Sequence, residues 1–131
     1  MLDNAPHVPI SWGELIDKIT ILEIKRTRIT SAISVANVQL ELGLLNGSVS
    51  QLVRLNPDVI KLKYELTLVN EALWAIEDKI RDKEVASDFG AEFIELARSV
   101  YKTNDRRAAI KREINLLLHS KLIEEKSYSG S

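Results

Sequence analysis

The chain of 131 residues carries 18 Lys and Arg against 19 Asp and Glu, no Cys, 5 Gly and 3 Pro, the profile of one compact domain with room for a single core. Leu and Ile together supply 32 residues and aromatics only 7, so the buried material is aliphatic and suits helix packing rather than a disordered chain. The lack of cysteine excludes disulfide frameworks, thiolate zinc sites and cysteine nucleophiles, and the near-neutral balance argues against charge-driven binding to nucleic acid or a membrane surface.

Residues 1–10 read as an extended N-terminus without the basic-then-apolar profile of a signal peptide, and no stretch reaches the roughly 18 uncharged apolar residues of a membrane span. A cytoplasmic location is expected. Ser11-Trp12-Gly13-Glu14 then reads as a capping box: the Ser11 hydroxyl accepts from the Glu14 amide, and the Glu14 carboxylate reaches back to the Ser11 amide. Ile10 and Leu15 stand at the positions of a hydrophobic staple, and Pro9 keeps the approach extended. The first helix is predicted to run to about Gly43 on a seam of Leu15, Ile19, Leu22, Arg26, Ile29, Ile33, Ala36 and Leu40, in which Arg26 is the only charge.

Asn46-Gly47-Ser48 favours a turn, and residues 44–55 leave room for a short fourth segment. Asn56-Pro57-Asp58 supplies an N-cap, a proline at the first helical position and an early acid that suits the helix dipole. The second long helix follows, on the apolar seam Val59, Leu62, Leu66, Val69, Leu73, Ile76 and Ile80, and should stop near Ala86. Ser87 or Asp88 is placed to cap a third helix, buried through Phe93, Leu96, Ala97, Val100, Ile110, Ile114, Leu117 and Leu118. Its middle, Lys102 to Arg107, is wholly polar: the helix either bends there or faces something other than hydrocarbon. The tail 127–131 is small and polar and expected to fray. The fold class is therefore all-α, an antiparallel bundle of three long helices in one domain spanning 1–131.

Antiparallel stacking with residue 11 level with 86 and 90 puts Arg26 level with positions near 71 and 105. Arg26 is then predicted to meet Asn70 or Glu71 from the second helix and Asn104, Asp105 or Arg107 from the third. Such an arginine has two readings, a buried ion pair fixing helix register or part of a small-anion pocket. An enzymatic version of the pocket would resemble chorismate mutase, with Arg26, Arg107 and Lys111 stabilising a rearrangement electrostatically.

The third helix carries Arg98, Lys102, Arg106, Arg107, Lys111 and Arg112 against the single acid Asp105. Arg98, Lys102 and Arg106 recur every four residues and share a face that could clamp a phosphate, a carboxylate or a sugar nucleotide. The competing reading is a solvated face paired to Glu77, Asp78, Asp82 and Glu84. Acid pairs at i,i+3, Glu14 with Asp17 and Glu92 with Glu95, have the spacing of magnesium ligands in helical pyrophosphohydrolases, but about three such pairs are expected by chance. No metal or cofactor is expected. His7 and His119 read as surface residues, and Trp12 and Trp74 as packing anchors.

Two blocks, 11–25 (Ser-Trp-Gly-Glu-Leu-Ile-Asp-Lys-Ile-Thr-Ile-Leu-Glu-Ile-Lys) and 96–115 (Leu-Ala-Arg-Ser-Val-Tyr-Lys-Thr-Asn-Asp-Arg-Arg-Ala-Ala-Ile-Lys-Arg-Glu-Ile-Asn), together with the closing Glu124-Glu125-Lys126-Ser127-Tyr128, carry a resemblance. The chain resembles a family of short all-helical bacterial and phage domains of unknown function, whose members more often have proline in place of Trp12. The resemblance implies an association with glycosyltransferase and surface-polysaccharide proteins, beside or within which relatives sometimes sit.

The reading on function is a non-catalytic helical accessory or interaction protein, with a possible protein partner in glycan metabolism. The alternative is an anion-binding protein or enzyme for a sugar phosphate, nucleotide sugar or dicarboxylate, using Arg26, Arg98, Lys102, Asn104, Asp105, Arg106, Arg107 and Lys111. A second apolar row on the first helix, Ile16, Ile21 and Ile24 with Thr20, would be left uncovered in a three-helix monomer, so a homodimer is expected.

Overall fold

The computed structural model describes residues 4–125, and the tail 127–131, read above as frayed, lies outside the described residues. The fold is all-α. The helices are α1 (Trp12–Arg28), α2 (Ala32–Gly47), α3 (Gln51–Arg54), α4 (Pro57–Val85) and α5 (Ala91–Leu117). The first long helix of the sequence reading is thus two helices. Its break falls at Ile29-Thr30-Ser31: Ile29 turns extended, Thr27 bonds its hydroxyl back to the Ile24 carbonyl at 2.8 Å, and Ser31 caps α2 by accepting from Ser34. Residues with hydroxyls that compete for the backbone, beside a β-branched one, favour a cap over continued helix.

That break corrects three expectations. The seam survives through Leu15, Ile19 and Leu22, with Ile29 half-buried at its end, whereas Arg26, Ile33, Ala36 and Leu40 are exposed. The three long helices become four, with the short segment at 44–55 realised as α3. An extra chain reversal also changes which end α1 starts from. Trp12 and Gly13 lie beside Ser120 and Asn115 rather than beside residues 86–90, and α1 runs antiparallel to α5, with Gly13 at Asn115 and Asp17 at Arg107.

The long hairpin of α4 and α5 follows its sequence signals closely. Asn56 Oδ1 accepts from the Asp58 and Val59 amides at 2.9 and 3.3 Å, Pro57 opens α4, and Val59, Leu62, Leu66, Val69 and Leu73 are buried. Ile76 and Ile80 are half-buried. At the hairpin Ser87 takes the left-handed conformation (φ 52°) after α4, and Gly90 is the N-cap of α5, so neither Ser87 nor Asp88 has the capping place expected for it. Lys83 ties the turn by bridging Asp88 at 3.1 Å and Glu92 at 2.9 Å. The α5 helix runs unbroken through its polar middle, burying Ile110 and Ile114, while Ala97 is exposed.

Two apolar clusters meet at α1. Ile16 joins Val59, Leu62, Leu66, Val69, Leu73, Ile110 and Ile114 from the hairpin, whereas Leu15, Ile19 and Leu22 pack against Val38 and Leu42 of α2, and Trp12 touches both groups. Each fully buried aliphatic side chain contributes about 1.5–3 kcal/mol to folding. Arg28 lies 5.7 Å over the Trp74 ring and fastens the far end of α1 to α4. The row Ile16, Thr20 and Ile24 is buried inside the monomer and Ile21 is half-buried, so that row does not supply the exposed face on which the homodimer expectation rested. The cause is the same: α1 is central, enclosed by α2 on one side and the hairpin on the other.

Gly13 sets the distance of closest approach. A Cβ there would overlap the Lys111 carbonyl oxygen and lie 2.9 Å from Asn115 Oδ1, so only glycine lets the start of α1 reach α5. Helix propensity alone would make Gly13→Ala stabilising by about 1 kcal/mol. Overpacking against a backbone atom reverses the sign, and urea unfolding should show Gly13→Ala destabilised by about 1–3 kcal/mol.

Candidate functional site

The first turn of α1 presents three amides without partners inside the helix, and each finds a side-chain oxygen. Trp12 donates to Ser120 Oγ at 3.2 Å, Gly13 to Asn115 Oδ1 at 2.6 Å, and Glu14 to Ser11 Oγ at 3.1 Å. Half of the capping box holds. The Glu14 carboxylate, expected to turn back to Ser11, accepts instead from Lys111 Nζ at 2.7 Å. The Ser11 hydroxyl and Asn115 Nδ2 both donate to Glu124, the second at 3.0 Å, so the segment after α5 folds over the start of α1.

One turn further along, Asp17 has no exposed surface. A carboxylate taken from water must be matched by donors, and here two helices, α4 and α5, supply them. Asn70 Nδ2 donates to Asp17 Oδ1 and to Thr20 Oγ1, both at 2.9 Å; Arg107 Nε reaches Oδ1 at 3.0 Å while its Nη2 meets Oδ2; and Lys111 Nζ stands 3.8 Å from Oδ2. The Thr20 hydroxyl itself donates to the Asp17 backbone carbonyl at 2.7 Å. The hydrogen bond to Asp17 raises the Arg107 pKa, opposed by burial and assisted by the charges of Asp17, Glu14 and Glu77. The arrangement is a two-by-two lattice: acids at i,i+3 on α1 face bases at i,i+4 on α5, with Asn70 closing it from α4.

The sequence reading expected such a layer and named Asn70 and Arg107 in it, but centred it on Arg26. The centre is Asp17, nine residues earlier. Arg26 is exposed, and with Glu71 it lines a groove of about 520 Å³ between α1, α4 and the end of α2. Of the other named residues, Arg107 and Lys111 come together in the lattice, and Asn104 lines with them a surface depression of about 250 Å³. Asp105 is half-buried, and Arg98, Lys102 and Arg106 are exposed along α5. Asp17 itself was legible only as half of an acid pair. The matching spacing of Glu14/Asp17 against Arg107/Lys111 is the signal that pairs them, whereas nothing in the sequence announces Asn115, Ser120 or Glu124 as partners of the α1 start.

Chemically the lattice is balanced, two carboxylates against two cations. No group of three or more His, Asp or Glu among the described residues is placed to hold a metal ion.

Removing one partner of a buried pair strands the other. Asp17→Ala is expected to cost about 3–5 kcal/mol in urea unfolding, and Asp17→Asn combined with Arg107→Met to recover much of it. Arg26→Ala, at an exposed site, should stay within about 0.5 kcal/mol of the parent. The Glu124 carboxyl gives a pH dependence. Burial pushes it up, but hydrogen bonds from Ser11, its own amide and Asn115 and the charge of Lys111 outweigh that and hold it below its ordinary 4.5. A depressed carboxyl contributes stability that is present above its unfolded value and lost as the pH falls through its folded one. The stability gap between the parent and Glu124→Gln should therefore be constant near neutrality and close as the pH drops below 4.5, followed by thermal unfolding across an acid series.

No curated protein and no solved structure matches this chain significantly. The all-helical chain, with both the α1 start and the α5 block inside the matched region, belongs to the family of unknown function DUF6165, whose model matches residues 6–131.

Proposed function

We propose that this chain is a non-catalytic helical interaction domain, which acts by presenting an apolar surface to another protein surface. One observation carries the reading. Between residues 29 and 53 there is a single charged residue, Glu41, whereas the other 36 of the chain's 37 charges fall in the remaining 106 residues. Only part of that segment is core: Val38 and Leu42 are buried, but Ile33, Leu40, Leu44 and Leu52 expose 77, 66, 61 and 88 % of their surface. Depletion of charge together with exposed aliphatic side chains is the composition of an interface centre. The lattice at Asp17 supports the same reading from the other side, since its cations already hold carboxylates and its work is to fix helix positions. The family resemblance names glycosyltransferase and surface-polysaccharide proteins as the class in which to seek a partner other than the chain itself.

The test is photo-cross-linking in the native cells, with a photoreactive residue at position 33 or 52 and, for comparison, at the exposed positions 95 and 102 of α5. Discrete higher-mass adducts should form several-fold more efficiently from 33 and 52. Equal yields from both faces would remove the basis for an interaction surface here.

A further inference from the structure

The reading of the 29–53 segment as an interaction surface leaves the partner open, and α2 itself narrows it. Its inward face, Val38 and Leu42, is buried against α1. Its outward face carries Ile33, Ala36, Leu40, Gly43, Leu44 and Gly47, at the three- and four-residue spacings of one continuous stripe. A helix apolar on both sides belongs between two packing partners, and among the described residues α2 packs against α1 alone.

The two glycines are the second observation. A Cβ at Gly43 or Gly47 would meet nothing within 4 Å, and neither residue has the positive φ that calls for glycine. In a helix interior glycine is the least favourable residue after proline, so Gly43 weakens α2 with no return inside this chain. A close approach from outside supplies the reason. Large and small residues also alternate in an order that matters. Reversing the stripe about Leu40 sets Ile33 opposite Gly47, Leu44 opposite Ala36, Asn37 opposite Gly43 and Leu40 opposite itself. Apart from Leu40, which meets its own copy at the axis, each bulky side chain then meets a small one, and Glu41, the one charge, stands off to the side.

We propose that α2 pairs antiparallel with α2 of a second copy of this chain, about a two-fold axis at Leu40. Such an interface is isologous and closes at the dimer. Self-pairing needs a face without net charge, since a copy brings the same charges, and this face meets that condition. A membrane surface fits less well, because α2 has neither the Lys and Arg nor the aromatic residues with which interfacial helices hold lipid. A single 16-residue helix pair lies at the small end of specific interfaces, so dissociation is expected in the micromolar range.

Sedimentation of the full chain from micromolar to submillimolar concentration should show a monomer–dimer equilibrium. Leu40→Glu should abolish the dimer while leaving helicity and the thermal midpoint of the monomer unchanged, since the position faces solvent, and Gly43→Leu should abolish the dimer while raising that midpoint. Gly43→Ala should raise the thermal midpoint of the monomer and weaken the dimer, a pair of opposite effects that an intramolecular role would not produce. The chain has no cysteine, so introduced thiols are clean reporters. Under oxidation Leu40→Cys should cross-link to itself. Ile33→Cys should not, because two copies of position 33 lie about 21 Å apart along an antiparallel pair. A mixture of Ile33→Cys and Gly47→Cys chains should cross-link to each other. A monomer over the whole range would overturn the pairing, as would self-cross-linking of Ile33→Cys equal to that of Leu40→Cys. So would binding of the parent chain to vesicles of phosphatidylcholine and phosphatidylglycerol that Leu40→Glu abolishes. Failure here, with position-52 adducts to other proteins still forming in cells, would leave the interaction-domain reading standing.

Discussion

The buried carboxylate of Asp17 is the constraint on which the arrangement of helices depends. An acid with no exposed surface survives in the core only if its oxygens are met on every side, and its donors come from Asn70 on α4 and from Arg107 and Lys111 on α5. Hydrogen bonds near 3 Å leave little latitude: sliding α1 by one residue, about 1.5 Å, would break most of them. Apolar packing of Ile16 against Leu66 and Ile114 tolerates such slips far better, because aliphatic contacts have no direction. The lattice therefore determines which of several comparably greasy registers is occupied. A buried ion pair is poor evidence for added stability against a well-packed apolar substitute, and its effect here is on register.

The neighbouring features follow from that placement. With Asp17 seated on Arg107, the start of α1 is carried within touching distance of α5, where only Gly13 fits and where Asn115 and Ser120 satisfy the first amides. Glu14 faces Lys111 and so leaves its capping partner, and Glu124 takes the Ser11 hydroxyl. Each residue of the capping motif thus serves a tertiary contact in addition to, or in place of, its local one. This is why Ser-Trp-Gly-Glu reads as a helix start in the sequence yet acts as a docking element in the fold.

What was legible in the sequence divides along the same line. Helix α4 could be read almost residue by residue, because Asn56-Pro57-Asp58 is a local signal and its seam has no polar interruption. The break at Ile29-Thr30-Ser31 was not, since Ile29, Ile33, Ala36 and Leu40 continue a helical spacing that periodicity cannot distinguish from a second helix in phase with the first. The consequence spread: one missed reversal put α1 in the wrong register and transferred the role of Asp17 to Arg26. Asn70 and Arg107 still enter the expected polar layer, both through the register estimate drawn from Arg26 in its apolar seam and Arg107 also through the polar stretch at the centre of its helix. Their partner could not be found the same way. Asp17 lies in the second turn of α1, three residues after Glu14, where an acid beside Lys18 in an amphipathic helix gives no sign of being buried.

The same reversal explains how a small domain comes to have an apolar outer face. Folding α2 back on α1 buries Leu15, Ile19 and Leu22, which the α4–α5 hairpin does not reach, and this requires Val38 and Leu42 on one side of α2. It requires nothing of the other side, where Lys, Glu or Arg would add solubility and favourable helix propensity at no packing cost. The chain supplies charge freely elsewhere, including on the exposed face of α5 at Arg98, Lys102 and Arg106. The outward residues of α2 are instead Ile33, Leu40 and Leu44 interleaved with glycines that have open space around them, a choice that leaves hydrocarbon in water and weakens the helix through the backbone freedom of glycine. Intramolecular packing accounts for one face of this helix, and only a surface pressed closely against it from outside gives the other a physical reason.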